Sequence, residues 1–330
     1  MSDNRTVADR HVPVMRDRII ELLRPALVTG ESGLRPVYLD GTLGMGGHTE
    51  AILKACPDAV AYGVDRDTDA LRLAGERLAQ FGDRFIPVHA RYDDAIEELA
   101  ELDVHRIDAA LFDLGVSSLQ LDETKRGFSY SRDAALDMRM DQTQGMTAAD
   151  VIAEYDEGDL RRILREYGEE RFAGKVAKAI VRRREQSPIR TSDELMQVLR
   201  DAIPAASQRT GGHPGKRTFQ ALRIEVNAEL LSWQAALPAA IDALAIGGRI
   251  AVLSYHSLED RITKHELQAG ARSTAPAGLP VELPEHKPYL KLLTRGAEQP
   301  GDAEVNTNPR AASARLRVAE RIRATKGTKR

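Results

Sequence analysis

The stretch from residue 40 to residue 50, Asp-Gly-Thr-Leu-Gly-Met-Gly-Gly-His-Thr-Glu, constrains the fold of this chain more than any other. It follows the short apolar run 37–39 and precedes a helical pattern over 51–55. Its glycines allow positive φ and let a ligand approach the main chain closely. The start of the following helix offers backbone N–H groups without intrahelical partners. The stretch therefore predicts a strand ending in an acid, a nucleotide-type cofactor loop and a helix.

Length and composition are those of a soluble globular protein. The 330 residues can form one large domain or two ordinary ones, and 42% apolar with 29% charged residues is the usual balance. The sequence has no apolar run of the length that a membrane span needs, and its first residues lack the apolar core of a signal peptide. We therefore expect a cytoplasmic protein without membrane contact. Cys56 is the one cysteine, which excludes an intramolecular disulfide and a cysteine-rich zinc site.

Strand patterns recur after the glycine loop. The segments 59–65, 85–89 and 107–113 read as strands, and helical spacing of apolar residues fills 70–78. The last strand pattern is nearly continuous in apolar residues, which suits a strand covered on both faces. This alternation of strands and helices predicts a parallel, doubly wound α/β sheet.

The alternation then stops over a gap far longer than one crossover connection requires. The next strong strand pattern is 249–254, after a break that begins at Gly115. Helical patterns occupy the gap, so we expect a helical domain inserted between strands four and five. The predicted helices are 147–154, 156–167, 169–186, 191–203 and a long one over 219–244. The predicted domains are 1–123 and 218–330 for the sheet and 124–217 for the insert. After the 249–254 strand we expect a helix at 259–268, a late edge strand within 289–294 and a basic C-terminal tail.

Three acids that end strands discriminate between the cofactors that such a loop can bind. The order of Asp40, Gly44 and Gly46 differs from the Gly-x-Gly-x-x-Gly spacing of dinucleotide oxidoreductases. Asp40 would repel a pyrophosphate but would suit an amine, while Asp65 ends strand two, where a ribose diol is bound. S-adenosylmethionine has both an amine and a ribose diol, so this pair of acids favours it as the cofactor. Asp113, which ends strand four, would then lie at the crevice beside the transferred group.

A set of longer motifs runs through the chain from His11 to Glu320 and is highly specific in length and order. The motifs are Asp40–His48 (DGTLGMGGH), Asp65–Asp67, Asp113–Ser118 (DLGVSS), Arg126–Ser129, Leu136–Asp141 (LDMRMD), Tyr167–Phe172 (YGEERF), Arg217–Ala221, Arg223–Ile224, Val226–Asn227, Ser254–Arg261 (SYHSLEDR) and Asn308–Arg310. In these motifs the chain resembles the MraW/RsmH family, the bacterial 16S ribosomal RNA cytosine-N4 methyltransferases.

The resemblance implies methyl transfer from S-adenosylmethionine to the N4 amine of a cytidine in 16S ribosomal RNA, with the 30S subunit as the expected partner. It also implies a Rossmann-like methyltransferase sheet with an inserted helical domain, as the gap predicts independently. Tyr92 stands where the family commonly has Phe, and Leu119 stands where it commonly has Pro. The expected cofactor-binding residues are Asp40, Gly44, Gly46, Gly47, His48, Asp65, Tyr92, Asp113 and Gln120.

The exocyclic amine of cytosine is a poor nucleophile because its lone pair is delocalised into the ring. An acceptor for one amine hydrogen would localise that pair and stabilise the charge that develops on nitrogen. We hypothesise that Asp113, with Ser117 or Ser118, supplies this acceptor and that His256 lines the pocket from strand five. A hydrogen-bonded histidine before a helix is an equal alternative for His256. We expect no metal site, because no His/Asp spacing requires one.

The net charge of −3 gives no global sign of nucleic-acid binding, so any such signal is local. Residues 171–190 hold seven basic residues against Glu185, and residues 310–330 hold eight against Glu320. Both segments are candidates for RNA contact, although a charge run is usually a solvated helix face. If either contacts RNA, the affinity should fall steeply with salt.

Other functions stay open at the level of the sequence. One is a non-catalytic RNA-binding factor in ribosome assembly, which the retained acids at 40, 65 and 113 disfavour. A second is a DNA cytosine-N4 methyltransferase, which the missing Pro-Pro-aromatic element after strand four disfavours. A nicotinamide dehydrogenase is disfavoured by the glycine spacing. The oligomeric state is left open, with a homodimer among the options.

Overall fold

The chain divides into two compact units. A sheet unit consists of Met1–Gly115 and Ser232–Arg330, and a helical unit consists of Val116–Leu231. The computed structural model describes residues 12–28, 33–115, 127–128, 133–210, 213–276 and 282–324. Among these residues, none of the helices combines the length and apolar character that crossing a membrane would require.

The sheet unit contains a seven-stranded sheet in the order β3-β2-β1-β4-β5-β7-β6. The strands are β1 Val37–Asp40, β2 Val60–Asp65, β3 Phe85–His89, β4 Ile107–Asp113, β5 Leu244–Ser254, β6 Leu290–Leu292 and β7 Arg315–Arg321. The first five pair in parallel, whereas β7 runs antiparallel to both β5 and β6. The predicted parallel α/β sheet is thereby confirmed, with an antiparallel edge that the strand–helix alternation did not indicate.

Helices cover the sheet or form the helical unit. In chain order they are α1 Arg16–Leu23, α2 Gly47–Ala55, α3 Thr68–Leu78, α4 Ala95–Glu101, α5 Ala148–Glu154, α6 Glu157–Glu166, α7 Ala173–Gln186, α8 Ser192–Ala202, α9 Ala205–Thr210, α10 Gly215–Asn227, α11 Glu229–Ala243, α12 Ser257–Gly270 and α13 Asp302–Thr307. The helices α5 to α10 all follow β4 and precede β5, so the prediction of a helical insert between strands four and five is confirmed.

The sheet has an apolar core on each face. Within β4, Ala109 and Leu111 belong to one buried cluster, which includes Ile19 of α1. Ala110 and Phe112 belong to the other, which also contains side chains from α4, α11 and α12. Alternate side chains of a strand point to opposite faces, so the continuous apolar run of β4 follows from burial on both sides. A separate buried cluster joins α5, α6, α7, α8 and α10 within the helical unit.

The prediction of one long helix over 219–244 is wrong, because this segment forms two helices, α10 and α11. The chain turns at Ala228, which has a left-handed φ of 50°. Asn227, just before the turn, accepts a hydrogen bond from the backbone N–H of Met140 and donates to the carbonyls of Met138 and Arg223. The last residue of α10 is thus held by a distant segment, and that contact leaves no trace in the helical periodicity.

Part of the expected basic C-terminal tail forms β7, and arginines of that strand serve the fold. Arg317 donates from Nε to Asp260 at 2.7 Å, and Arg315 donates to the same carboxylate at 3.2 Å. Arg321 is buried, and its guanidinium donates to the carbonyls of Ile241 at 3.1 Å and of Leu244 at 2.8 Å. These cations hold the antiparallel edge of the sheet and cap the helix that precedes β5.

Candidate active site

Asp40, at the carboxyl end of β1, is almost fully buried. Its Oδ2 accepts a hydrogen bond from the hydroxyl of Thr49 in α2 at 2.6 Å, and the hydroxyl of Tyr38 lies 3.5 Å from the same oxygen. Its Oδ1 accepts from the backbone N–H of Thr42 at 3.3 Å. Burial raises the pKa of Asp40, while the bond from Thr49 opposes that rise. The acid therefore ties the end of β1 to the helix after the loop, and its direct contact with an amine stays a prediction.

The glycines of the loop are required by close contacts as well as by backbone angles. Gly46 has φ of 73°, and a Cβ there would lie 2.9 Å from Leu78. A Cβ on Gly47 would lie 2.7 Å from the ring of Pro13. Gly41 has no room for a side chain, because its Cβ would overlap the ring of Phe112. The loop can therefore lie tightly against its surroundings and present its backbone at the sheet edge.

Asp65 ends β2 and holds the loop from the other side. Its Oδ2 accepts from the backbone N–H of Gly44 at 2.8 Å, and its Oδ1 accepts from the N–H of Asp67 at 2.9 Å. Asp67 in turn caps α3 through its own carboxylate. Burial raises the pKa of Asp65 to about 6, against the lowering effect of the two backbone bonds. A carboxylate has about four acceptor sites, so two remain for hydroxyl donors of a ligand.

His48 and Asp113 face each other across the first turn of α2 and the end of β4. The Nε2 atom of His48 lies 3.5 Å from Oδ2 of Asp113. Within the described part of the chain, Nε2 of His48 and Oδ1 of Asp113 are buried and have no hydrogen-bond partner. Buried polar atoms are normally paired, so two such atoms side by side indicate a place that a ligand completes.

The position of Asp113 is fixed by its neighbours. Its backbone N–H donates to the hydroxyl of Thr42 at 2.6 Å, which links the end of β4 to the cofactor loop. The ring of Tyr255 packs against Gly115, where a Cβ would lie only 2.7 Å from the ring. Burial and the neighbouring Asp113 raise the pKa of the Tyr255 hydroxyl well above its ordinary value, so this hydroxyl stays protonated.

Tyr92 follows β3 and belongs to an aromatic group. Its ring meets Phe112 edge-on, with centroids 6.5 Å apart, and meets Trp233 in the same way at 6.3 Å. Trp233 is itself anchored, because its indole N–H donates to the hydroxyl of Thr263 at 3.0 Å. The ring predicted to stack on a cofactor is therefore held rigidly by two aromatic neighbours.

His256 acts as the N-cap of α12. Its Nδ1 accepts from the backbone N–H of Glu259, and the Glu259 carboxylate accepts in return from the N–H of His256. Its Nε2 lies 2.9 Å from the same carboxylate. Nε2 is buried without a hydrogen-bond partner among the described residues, whereas the bonds at Nδ1 and at the backbone N–H fit the alternative of a hydrogen-bonded histidine before a helix. A direct role for His256 in the reaction stays a prediction.

The acids at the ends of β1, β2 and β4 lie on one edge of the sheet. The strand order changes direction between β1 and β4, and ligands of such sheets bind outside the strand ends at that switch point. Asp40 and Asp113 flank the switch point, with Asp65 on the next strand. Ser117, Ser118, Leu119 and Gln120 lie outside the described residues.

The sequence itself matches a known family over nearly its whole length. A model of the MraW methylase family covers residues 8–322. The chain belongs to the MraW methylase family.

Relatives of this MraW-family chain are similar along their full length. It is 60% identical over 321 residues to a protein of Saccharopolyspora erythraea named Ribosomal RNA small subunit methyltransferase H, covering 97% of this chain and 96% of that protein. A protein of the same name from Pseudarthrobacter chlorophenolicus is 58% identical over 321 residues and is covered to 97%. Among solved structures, an rRNA methylase from Streptococcus thermophilus aligns with 95% of this chain and 99% of its own, at 11% identity and a TM-score of 0.43.

Three site residues were not predicted from the sequence of this MraW-family chain. Thr42 and Thr49 lie in the glycine stretch and connect it to Asp113 and Asp40. Tyr255 lies in the motif that follows β5 and contributes the protonated hydroxyl beside Asp113. Polar residues inside the two motifs were the available signal, but their partners depend on the tertiary fold.

We predict that Thr49→Val destabilises the protein more than Thr49→Ser. Valine has the shape of threonine but leaves the buried Asp40 oxygen without its 2.6 Å donor, which should cost about 1–3 kcal/mol of unfolding free energy. Serine keeps the hydroxyl and loses one methyl group, at about 1 kcal/mol. Urea unfolding of both variants measures the difference. A valine variant as stable as the serine variant would show that the bond from Thr49 does not hold Asp40.

Proposed function

We propose that this protein transfers a methyl group from S-adenosylmethionine to the exocyclic N4 amine of a cytidine in 16S ribosomal RNA. Membership of the MraW methylase family supports the reaction class, and the names of its relatives support a small-subunit ribosomal RNA substrate. The single structural observation that carries the chemistry is the buried, unpartnered oxygen of Asp113 at the switch point of the sheet, judged among the described residues.

The residues present fit the cofactor. Asp65 keeps two acceptor sites for ribose hydroxyls beyond those used by Gly44 and Asp67. Gly46 and Gly47 pack against Leu78 and Pro13 and so hold the loop at the sheet edge, where its backbone can contact a ligand. His48 and Asp113 offer the two unpartnered polar atoms, and Tyr92 offers an aromatic ring for stacking. When bound, S-adenosylmethionine supplies an electrophilic methyl group on a sulfonium.

Asp113 activates the amine in this proposal. One carboxylate oxygen, Oδ2, faces His48, and the other, Oδ1, is left to accept a hydrogen from the N4 amine. That hydrogen bond draws electron density back onto nitrogen and stabilises the positive charge that forms there as the new N–C bond replaces the methyl–sulfur bond and a neutral thioether leaves. The proton released from nitrogen then passes to the carboxylate of Asp113. The protonated hydroxyl of Tyr255 keeps this carboxylate in place.

The acceptor in the cell is, in our proposal, the 30S subunit in the cytoplasm. The base must leave its stack to reach the methyl group, and RNA of this kind is recognised through its backbone, its shape and its splayed bases. We assign RNA recognition to the predicted insert 124–217, which falls within the helical unit. The alternative of a non-catalytic assembly factor predicts RNA binding without transfer.

Methyl transfer to defined acceptors tests this function. The purified protein is incubated with S-adenosylmethionine labelled in its methyl group and offered 30S subunits, naked 16S ribosomal RNA or double-stranded DNA. We expect label in ribosomal RNA and none in DNA. Label in DNA alone would favour a DNA methyltransferase, and RNA binding without label on any acceptor would favour the assembly factor.

We also predict that cofactor affinity depends on the ionisation of Asp65. Its pKa of about 6 in the free protein lies above the ordinary value for aspartate, so the carboxylate is ionised at neutral pH and becomes protonated as the pH falls through 6. A protonated acid loses acceptor sites for the ribose hydroxyls. At a pH one unit below the pKa, only about a tenth of the protein has the ionised Asp65 that binds the ribose. The Kd for the cofactor should therefore rise about tenfold.

Calorimetric titration with S-adenosylhomocysteine between neutral and mildly acidic pH measures this dependence. The side chain in Asp65→Asn does not ionise, so the affinity of this variant, although weaker, should not change with pH over the same range. If the affinity of the variant changes with pH as steeply as that of the wild-type protein, a group other than Asp65 controls the pH dependence of binding.

A further inference from the structure

Three cations of α7 form a row on the face opposite its buried side. Lys175, Lys178 and Arg182 are all exposed, and their spacing of three and four residues places them one above the other along the helix. The opposite face carries Val176 and Ile180, which are buried in the core of the helical unit. With a rise of about 1.5 Å per residue, the row spans about 10 Å.

Arg171, just before α7, extends the row through an aromatic ring. Its guanidinium carbon lies 5.7 Å from the ring centroid of Phe172, and Nζ of Lys175 lies 5.9 Å from the same centroid. Phe172 is half-buried and packs against the core of the helical unit. Cation–π contacts at this distance are favourable, so the ring holds two cations side by side before any ligand arrives. Arg171, Lys175, Lys178 and Arg182 are called the α7 cation row below.

Neighbouring arginines of the same basic segment have structural roles and lie outside the row. Arg184 donates to the carbonyls of Ile152 at 2.5 Å and Tyr155 at 2.6 Å, which end α5. Arg183 donates to the carbonyl of Ser187 at 2.7 Å, just beyond its own helix. The sequence count of seven cations in 171–190 therefore overstates the charge that a ligand can reach.

The α7 cation row is not neutralised by the protein. Among the described residues, none of its four cations lies in an ion pair with an acid, whereas Arg162 on the adjacent α6 lies within 4 Å of Asp159, Glu166 and Glu225. Like charges spaced by four residues on a helix destabilise it by about 0.2–0.5 kcal/mol per pair. A row of like charges without acidic partners is the pattern expected where a polyanion supplies the missing counter-charges.

We propose that the α7 cation row binds consecutive phosphates of a single RNA strand. The inference rests on the proposed function, because it takes ribosomal RNA as the substrate. Steps of three and four residues separate neighbouring side chains by about 4.5–6 Å along the helix axis, and the long, flexible side chains can follow the backbone of one strand. Arg171 and Lys175, pre-positioned by Phe172, form the rigid end of the row and lose less conformational freedom on binding.

The composition of this face favours RNA over an acidic protein partner. Protein interfaces are built around a buried core enriched in aromatic and other apolar side chains. In α7 the exposed residues are Gly174, Lys175, Lys178, Arg182, Glu185 and Gln186, and every apolar side chain is buried or partly buried. A face with cations and no exposed apolar anchor suits a phosphate backbone, whose binding is dominated by charge.

The salt dependence of RNA binding tests the row directly. The triple variant Lys175→Gln, Lys178→Gln and Arg182→Gln removes three phosphate contacts. The slope of log affinity against log salt should become shallower by about two, at about 0.7 per contact for single strands. The matched control Lys264→Gln, Arg272→Gln and Lys291→Gln removes the same charge from exposed positions of the sheet unit and should leave the slope unchanged. Binding is measured with 16S ribosomal RNA fragments and with 30S subunits.

Two further readouts separate this proposal from the function on which it rests. Affinity for S-adenosylhomocysteine should be the same in wild type and in the triple variant, since no cofactor residue is altered. If wild-type protein fails to methylate ribosomal RNA, the proposed function is wrong. The α7 cation row does not bind phosphates if wild type methylates but the triple variant keeps the wild-type dependence of RNA affinity on salt. The same conclusion follows if the control variant weakens that salt dependence as much as the triple variant does.

Phe172→Leu tests the role of the ring without removing a charge. We expect weaker RNA binding with an unchanged salt slope, because the number of phosphate contacts stays the same while the two cations lose their order. Thermal unfolding of this variant reports any loss of core packing. A folded variant that binds RNA as tightly as wild type would show that Phe172 does not pre-position the row.

Discussion

The buried carboxylate of Asp40 is the interaction on which the rest of the site depends. It joins β1 to α2 through Thr49 and fixes the turn between them through the backbone of Thr42. Thr42 then accepts the N–H of Asp113 from β4. One acid thereby sets the geometry of both strands that flank the switch point of the sheet. A buried, ionisable group is costly unless it is hydrogen-bonded, which explains why every oxygen of Asp40 has a partner.

Asp113 contrasts with Asp40 in the same small region. Asp40 has its hydrogen bonds satisfied within the loop, whereas Asp113 has one buried oxygen without a partner among the described residues. Asp65 lies between these extremes, with two backbone donors and a pKa raised to about 6 by burial. Three acids that look equivalent at the ends of strands thus differ in their surroundings: Asp40 organises the loop, and we propose that Asp65 binds ribose hydroxyls and that Asp113 accepts a hydrogen of the reacting amine.

Local patterns predicted the parts of the fold that depend on local physics. The glycine loop and the apolar runs of β1, β2 and β4 were recognisable because turn geometry and two-sided burial act on consecutive residues. The break at Ala228 and the strand β7 were not recognisable in this way. Asn227 is held by residues 138–140, and Arg321 is buried against carbonyls near residue 241, so both depend on partners far away in sequence. His256 caps α12 through Glu259, a partner that the motif alone did not identify, and its role in the reaction stays a prediction.

The central claim, that Asp113 accepts a hydrogen of the N4 amine, is tested most directly by single-turnover methylation with Asp113→Asn and a control, Asp108→Asn. Asp108 lies on the same strand and accepts the N–H of Val37, away from the carboxyl end. With saturating cofactor and 30S subunits, we predict that Asp113→Asn slows formation of N4-methylcytidine by about 10²–10⁴-fold, the range of a lost proton acceptor, while Asp108→Asn keeps the wild-type rate. Near-normal methylation by a folded Asp113→Asn variant that still binds the cofactor would contradict the account.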